Sequence, residues 1–266
     1  MKDIKNRRKR FYQPWIIRVL VLILAVSSLP GAGRYAPPGN GPMVSGQTVE
    51  DLIEKGKTLF ALRQIAEAFA AFTKAIELDP RNGVAFRERG RAKLFTGDYE
   101  GALADYGRAI LLDPMDYDAY KGRAQVQRAL KHYAESLEDC DTAISINPQD
   151  ADVFDLRSRI KQKTGDYKGA LQDISKAIEL VPSSDFYLNQ RASVKSDMAD
   201  YKGALADCNR SLEIKPNDNF TLYFRAAMLL KTGDPKAALI DITKALEIKD
   251  YDFMRDLLKQ IQAAIK

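Results

Sequence analysis

One histidine, one tryptophan and two cysteines stand among 266 residues. A single histidine excludes the catalytic and metal sites that are built on histidine pairs. Two cysteines exclude a disulfide-built scaffold and a four-cysteine zinc site. No G-x-G-x-x-G or Walker motif occurs, so the usual phosphate cradles are missing. Ser158–Lys161 fits S-x-x-K and Lys163–Gly165 fits K-T-G, but no S-D-N follows to complete a penicillin-binding signature. The acidic run Asp113–Asp118 lacks the glycine and the closing glutamate of a calcium loop. His132 falls in a turn and reads as an exposed loop residue. The chain is therefore expected to be non-catalytic, with no cofactor and no metal.

Long apolar runs are equally scarce. There is one, Ile16–Leu29, and its 14 residues span about 21 Å as a helix, against about 30 Å for a hydrocarbon core. It follows Lys2, Lys5, Arg7, Arg8, Lys9 and Arg10 and precedes a Gly/Pro-rich stretch, the order of a secretory signal. A cleaved signal peptide is the first reading of residues 1–29. Small residues suit a cut before Leu29 (Val26, Ser28) or before Arg34 (Gly31, Gly33). An uncleaved single transmembrane anchor is the alternative. Phe11, Tyr12 and Trp15 resemble an interfacial belt, and Arg18 can snorkel. No cysteine follows the run, so a lipidated N-terminus has no acceptor. Both readings put the rest outside the cytoplasm: secreted or periplasmic, or held at a membrane through residues 16–29. Residues 30–46 hold nine Gly/Pro, so 30–47 reads as a flexible linker. Charge is segregated too. Residues 1–34 carry eight Lys/Arg and one acid, and the remainder carries 33 basic and 35 acidic residues. The basic balance thus belongs to the address, and no nucleic-acid partner is expected.

What is abundant is repetition. AIELDP ends at Pro80, AILLDP at Pro114, AISINP at Pro148, AIELVP at Pro182 and SLEIKP at Pro216, each 34 residues after the last, and ALEIKD follows at Asp250. Windows with this residue at position 32 are 49–82, 83–116, 117–150, 151–184, 185–218 and 219–250. Position 8 is small (Gly56, Gly90, Ala124, Ser158, Ala192, Ala226), as is position 20 (Ala68, Ala102, Ser136, Ala170, Ala204, Ala238). Position 4 is bulky and apolar (Leu52, Phe86, Tyr120, Phe154, Leu188, Leu222). Positions 4, 8 and 11 share one face of a first helix, and 20, 24 and 27 one face of a second. TGDY at 96–99 and 164–167, MADY at 198–201 and TGDP at 232–235 mark the turns between them. Small residues at 8 and 20 allow close antiparallel approach, and proline at 32 ends the second helix.

These features resemble tetratricopeptide (TPR) repeats, over residues 49–250 in one unbroken register. The expected fold is all-α: an α-solenoid of six 34-residue helix–turn–helix repeats. The 251–266 segment, with Phe253, Leu257, Ile261 and Ala264 at helical spacing, is expected to form a C-terminal capping helix. The chain departs from the family pattern in having no tryptophan at position 4 and polar residues at position 11 (Lys93, Gln127, Lys161, Lys195). Position 7 is arginine (Arg89, Arg123, Arg157, Arg191, Arg225) wherever position 23 is aspartate (Asp105, Asp139, Asp173, Asp207, Asp241), and the first window lacks both, with Lys55 and Ala71. Arg–Asp pairing within one repeat is expected, and pairing to the next repeat is the rival. Cys140 and Cys208 share one core slot four helix layers apart, too far for a disulfide.

The resemblance implies that first helices line a concave face on which positions 2, 5, 9 and 12 meet a partner. Those positions supply a central band of Arg87, Arg91, Lys121, Gln125, Arg128 and Arg159, interleaved with Asp118, Asp152 and Asp155. Phe186, Asn189, Phe220 and Tyr223 lie at the C-terminal end, and Ile53, Phe60, Val84 and Leu94 at the N-terminal end. A groove with a cationic middle and apolar ends suits an acidic segment with hydrophobic anchors; the alternative is that the mixed-charge band is a solvated face. The carboxylate clamp of one TPR subclass is absent, its slots holding Ile53, Lys57, Glu88, Asp118 and Gly122. The expected function is a protein–protein interaction scaffold, an assembly factor outside the cytoplasm or at a membrane. A promiscuous peptide-binding adaptor or holdase in the same compartment is the alternative. A monomeric solenoid is expected, with Tyr251 and Phe253 free to pack on another chain in the rival arrangement.

Overall fold

The computed structural model describes residues 47–266. The expected signal or anchor (1–29) and nearly all of the expected linker (30–47) lie outside the described residues. Thirteen helices and no strand occur among the described residues. They are α1 (Val49–Ala61), α2 (Ile65–Leu78), α3 (Gly83–Thr96), α4 (Tyr99–Leu112), α5 (Tyr117–Ala129), α6 (Tyr133–Ile146) and α7 (Ala151–Lys163). Then come α8 (Tyr167–Leu180), α9 (Asp185–Asp197), α10 (Tyr201–Ile214), α11 (Asn219–Lys231), α12 (Pro235–Ile248) and α13 (Asp252–Ile265). No helix among the described residues is long and apolar enough to cross a membrane.

Local chemistry sets the ends of these helices. Side chains of Asn82, Asp98, Asp116, Asp166, Ser184, Asp200, Asp218 and Asp234 each accept a hydrogen bond from a free amide in the first turn. Thr48 and Asp51 close a reciprocal capping box on α1. Every turn between a first and a second helix passes through one left-handed residue: Arg63, Gly97, Lys131, Gly165, Ala199 and Gly233. Three of the six are glycine, which adopts that conformation without a Cβ penalty.

Each first helix packs antiparallel on its second helix. The small residue at position 8 is what allows it: a Cβ on Gly56 would overlap the Phe72 ring of α2. Where serine fills a small slot its hydroxyl is spent locally. Ser136 donates to the Ala124 carbonyl at 2.6 Å and Ser158 to the Ala170 carbonyl at 2.9 Å, both from buried positions. The S-x-x-K string at Ser158 is thus a packing feature. Successive pairs stack through positions 3 and 10 of the first helix. Ala119 and Val126 of α5 join Tyr106 and Ala109 of α4, and Val153 and Ile160 of α7 join Cys140 and Ala143 of α6. First helices also approach one another (α1 to α3, α3 to α5, α5 to α7, α7 to α9), more closely than successive second helices do. The first-helix side is therefore the inner side of the stack.

Five bidentate ion pairs join the helices of a pair. Arg89, Arg123, Arg157, Arg191 and Arg225 bind Asp105, Asp139, Asp173, Asp207 and Asp241 through Nε and Nη2 at 2.6–2.9 Å. Pairing within the repeat is the observed arrangement. Arg157 and Arg225 also reach back with Nη1 to Asp141 and Asn209 of the preceding pair. The polar position 11 finds its reason here. Lys93, Lys161 and Lys195 bind the same aspartates at 2.7–2.8 Å, so each of those buried carboxylates meets two cations. Arg89, Arg123 and Arg157 also stack over the position-4 rings of Phe86, Tyr120 and Phe154.

Cys140 and Cys208 are free and buried, and burial pushes both thiols up to about 12. His132 is exposed at the N-cap of α6. At the C-terminus the expected apolar face of α13 is corrected at two of its four residues. Met254, Leu257 and Ile261 are buried against α11 and α12, whereas Phe253 and Ala264 are exposed. The reason is register: α13 stacks like a first helix, and Phe253 turns toward aromatic side chains of α11 instead.

Candidate functional site

The inner face is built from first-helix side chains, and two cavities open on it. One of about 270 Å³ lies between α3 and α5, lined by Arg87, Glu88, Arg91, Asp118, Lys121, Gly122 and Gln125. The second, about 560 Å³, spans α3 to α9, and Lys121, Arg128, Asp152, Asp155, Arg159 and Phe186 are among its lining residues. Seven of the ten candidate residues thus come together: Arg87, Arg91, Lys121, Gln125, Arg128, Arg159 and Phe186. Asn189, Phe220 and Tyr223 line neither cavity.

The cations of this band are mostly engaged. Arg87 bonds both oxygens of Asp116 at 2.9–3.0 Å, and Lys121 bonds Asp150 at 2.7 Å. Asp116 and Asp150 cap the next first helices, α5 and α7. Each cation therefore ties one first helix to the N-terminus of the next. The guanidinium of Arg87 is held above its ordinary pKa: burial opposes the charge, and Asp116 with Glu88 outweighs it. Arg91 pairs with Glu88 at 3.3 Å and lies over the Phe60 ring, while Arg159 pairs with Asp155 at 2.8 Å and lies over Phe186. Arg128 is exposed and pairs with no acid among the described residues. The cavity lining holds five cations and four carboxylates, so the expected cationic middle is close to neutral. Three of those acids, Asp118, Asp152 and Asp155, interleave with the cations in the sequence, Glu88 adds a fourth, and Asp116 and Asp150, 29 residues away, engage Arg87 and Lys121 besides.

The N-terminal end also differs from expectation. Ile53 is buried with Leu52, Ala75 and Ala85, because α3 covers it, and it is not a groove residue. Phe60 meets Phe95 edge-on at 5.6 Å, Val84 is exposed, and Leu94 lines the larger cavity. Asp155, placed by sequence among the interleaving surface acids, is buried.

The C-terminal end is aromatic. Phe220, Tyr223, Tyr251 and Phe253 form one cluster, with Phe220–Tyr251 at 5.6 Å, Tyr223–Phe253 at 4.9 Å and Tyr251–Phe253 at 5.3 Å between ring centroids. Phe220 and Phe253 keep much of their surface exposed. Asn189 donates to Thr221 Oγ1 at 2.7 Å. Tyr251 and Phe253 are the residues sequence reasoning did not assign to the groove. Their signal was an aromatic pair beside position 1 of a seventh window.

Among known proteins, family models described as tetratricopeptide repeat match residues 52–82 and 87–151. No curated protein matches the sequence. Solved structures do. The APC/C Cut9–Hcn1 hetero-tetramer contains a chain that superposes with a TM-score of 0.70 at 18% identity, over 81% of this chain and 43% of that one. This chain therefore spans less than half of that relative's length. Pseudomonas aeruginosa pilF gives 0.70 at 14% identity, over 81% of this chain and 96% of that one. YrrB, described as a TPR protein with an unusual peptide-binding site, gives 0.59 at 23% identity, over 71% and 98%. At such identities the likeness speaks for the fold alone: residues 47–266 form an all-α, TPR-like solenoid, with tetratricopeptide repeat matches at 52–82 and 87–151.

Proposed function

We propose that this protein is a non-catalytic interaction scaffold that takes a partner segment along the inner face of its first helices. The observation that carries the reading is the pair of adjoining cavities, whose lining mixes charged groups with Phe186 and continues toward an exposed aromatic cluster. Polar groups of this kind fix register, and exposed aromatics supply anchor area. YrrB, which shares the fold, is described by its peptide-binding site, and that supports the reading. Near-neutral lining narrows the acidic-segment expectation to two places, Arg91 and Arg128, the exposed arginines of the lining. The apolar anchors of the segment would rest on Phe186, Phe220 and Phe253. The basic segment and apolar run at the N-terminus support a place outside the cytoplasm, free or held at a membrane, where the scaffold would serve as an assembly factor.

The test is affinity capture of the full chain from its native source, with wild type beside an Arg87→Ala, Arg91→Ala, Arg128→Ala triple variant of unchanged helicity. A stoichiometric partner held by wild type and lost by the variant is the expected outcome. Equal capture by both sinks the groove model. Intact mass with fractionation tests the address: a chain short by roughly 28–33 residues in a soluble extracytoplasmic fraction marks a cleaved signal, and full mass in membranes marks an anchor.

A further inference from the structure

Position 11 of the first helix is matched to position 23 of the second in every pair but one. Lysine at position 11 puts a second cation on the bridge aspartate: Lys93 on Asp105, Lys161 on Asp173 and Lys195 on Asp207, each at Oδ2 and 2.7–2.8 Å. Lys93 and Lys195 also donate at 3.3 Å to the position-19 carbonyls, those of Gly101 and Gly203. In α5–α6 a polar Gln127 stands with Asp139, and in α1–α2 an apolar Leu59 stands with Ala71. The α11–α12 pair breaks the match. Asp241 is kept, yet position 11 is Leu229. Among the described residues Asp241 accepts from Arg225 alone, through Nε and Nη2. An ionised carboxylate has about four lone-pair positions, so it can accept more.

A leucine side chain ends two atoms short of a lysine Nζ, and the space beyond Leu229 is open. A cavity of about 310 Å³ lies there, between α10 and α12 and floored by α11. Asp241 and Ala237 are on its lining, and Leu205, Leu229 and Ile240 give it aliphatic walls. Asp241 keeps more of its side chain exposed (7%) than the three aspartates that a lysine covers (4–6%). Ile240 is a second departure. Position 22 is otherwise Ala70, Ala104, Glu138, Gln172 or Ala206, and here a large apolar side chain stands 72% exposed.

Both sides of the cavity limit what fits it. An aliphatic group would cover the walls and leave the carboxylate's spare lone pairs unused. A guanidinium pairs best with two parallel acceptors, and Arg225 already holds both oxygens of Asp241 in that way. An ammonium on a four-carbon stem suits both walls and acceptor. Arg225 does not bar it, because arginine and lysine share one aspartate in the α3–α4, α7–α8 and α9–α10 pairs. Among the described residues no lysine of the chain lines the cavity.

We infer that the cavity between α10 and α12 is a socket for a lysine side chain of a protein partner. The stem lies on Leu205, Leu229 and Ile240, and Nζ donates to Asp241 Oδ2 and the Ala237 carbonyl. The partner thereby completes in α11–α12 the two-cation site that three other pairs complete with a lysine of their own. The socket is on the second-helix side, away from the inner face, and does not depend on the groove.

The experiment starts from a random dodecapeptide phage library panned on the full-length protein in detergent micelles. The library is counter-selected on Leu229→Lys, which fills the socket from within. Ile240→Arg, at an exposed position, sets a cation at the mouth and serves as the second counter-selection should a circular-dichroism melt show Leu229→Lys unfolded. Peptides held by the inner face bind these variants as they bind wild type and are removed. The best enriched peptide is labelled and titrated by fluorescence anisotropy. It is expected to carry a lysine whose replacement by norleucine or Nε-acetyl-lysine weakens binding roughly tenfold or more. It is also expected to bind the Arg87→Ala, Arg91→Ala, Arg128→Ala variant within about twofold of wild type. A peptide without lysine, or one whose lysine norleucine replaces without loss, overturns the socket. So does the failure of any peptide to enrich over the variants. Full affinity after a lysine-to-arginine change overturns the choice of an ammonium.

Discussion

The α1–α2 pair and the five pairs that follow are built to one backbone plan but stabilised differently. Pairs from α3–α4 to α11–α12 each carry an Arg–Asp bridge between their helices. In α1–α2 the same places hold Lys55, exposed, and Ala71, buried. The stacking positions differ in parallel. Ala92, Val126, Ile160, Val194 and Met228 are buried at position 10, whereas Thr58 is exposed there, and Asp51 is exposed where Ala85 or Val153 is buried. Helix α13 mirrors this at the other end. It buries Met254 and Ile261 on the stack and exposes Arg255, Lys259 and Gln262 where a second helix would otherwise pack. An interior pair has neighbours on both sides and so encloses its charges, which then need partners. A terminal element turns one side to water and needs neither the partner nor the apolar surface.

Breaking a bridge in the interior is expected to have the largest effect. Arg123→Ala leaves Asp139 buried without its guanidinium and costs about 3–5 kcal/mol, whereas Lys55→Ala stays within about 0.5 kcal/mol. Urea unfolding followed by circular dichroism checks both. Equal effects would remove the distinction between terminal and interior pairs. Next is the stacking layer: Ile160→Ala is expected to cost about 2–5 kcal/mol, and the equivalent Thr58→Ala less than about 0.5 kcal/mol.

The turns sharpen the comparison, because they do not follow the terminal–interior divide. Gly165→Ala puts a Cβ into a left-handed turn and is expected to lower stability by about 1 kcal/mol. Ala199→Gly, at the same place two residues past α9, is expected to raise it by about 0.5–1 kcal/mol, since it relieves the same penalty. A differential thermal melt of the two variants measures this.

The pH response of Asp155 comes next. Burial, set against Arg159, holds its carboxyl above the ordinary carboxylate range. The folded state therefore keeps the proton more tightly than the unfolded chain, and loses stability as pH rises from the unfolded value through the folded one. Asp155→Asn should raise the melting temperature at pH 7, with a gain that shrinks as pH falls below that range. A gain independent of pH would mean the carboxyl is not the cause. Smallest of all, Cys140 and Cys208 should stay unreactive toward a disulfide reagent at pH 8 until the chain unfolds, because burial holds both thiols up at about 12.

Much of the architecture was legible in the chain. The 34-residue period, the small residues at positions 8 and 20, the caps and the turns act within one helix or one hairpin, and the Arg–Asp bridges join residues 16 apart inside one pair. The site was less legible. Arg87, Lys121 and Arg159, singled out through the family resemblance, line the cavities of the inner face, but a position in a repeat could not show that Asp116 and Asp150 neutralise the first two. Nor could it show that α3 covers Ile53, or that Tyr251 and Phe253 join Phe220.

The sequence by itself determined that the chain repeats as helix pairs of 34 residues, where the turns within the pairs fall, and that one more helix follows the sixth pair. The tertiary structure alone decided which inner-face charges are spent and which remain. Those pairings join residues about 30 positions apart across two stacked repeats. Their distances follow from how one pair sits on the next, and no periodicity within a repeat encodes it. Asp155 shows it: the sequence places an acid at position 5 of its first helix, and only the stack buries that acid beside Arg159.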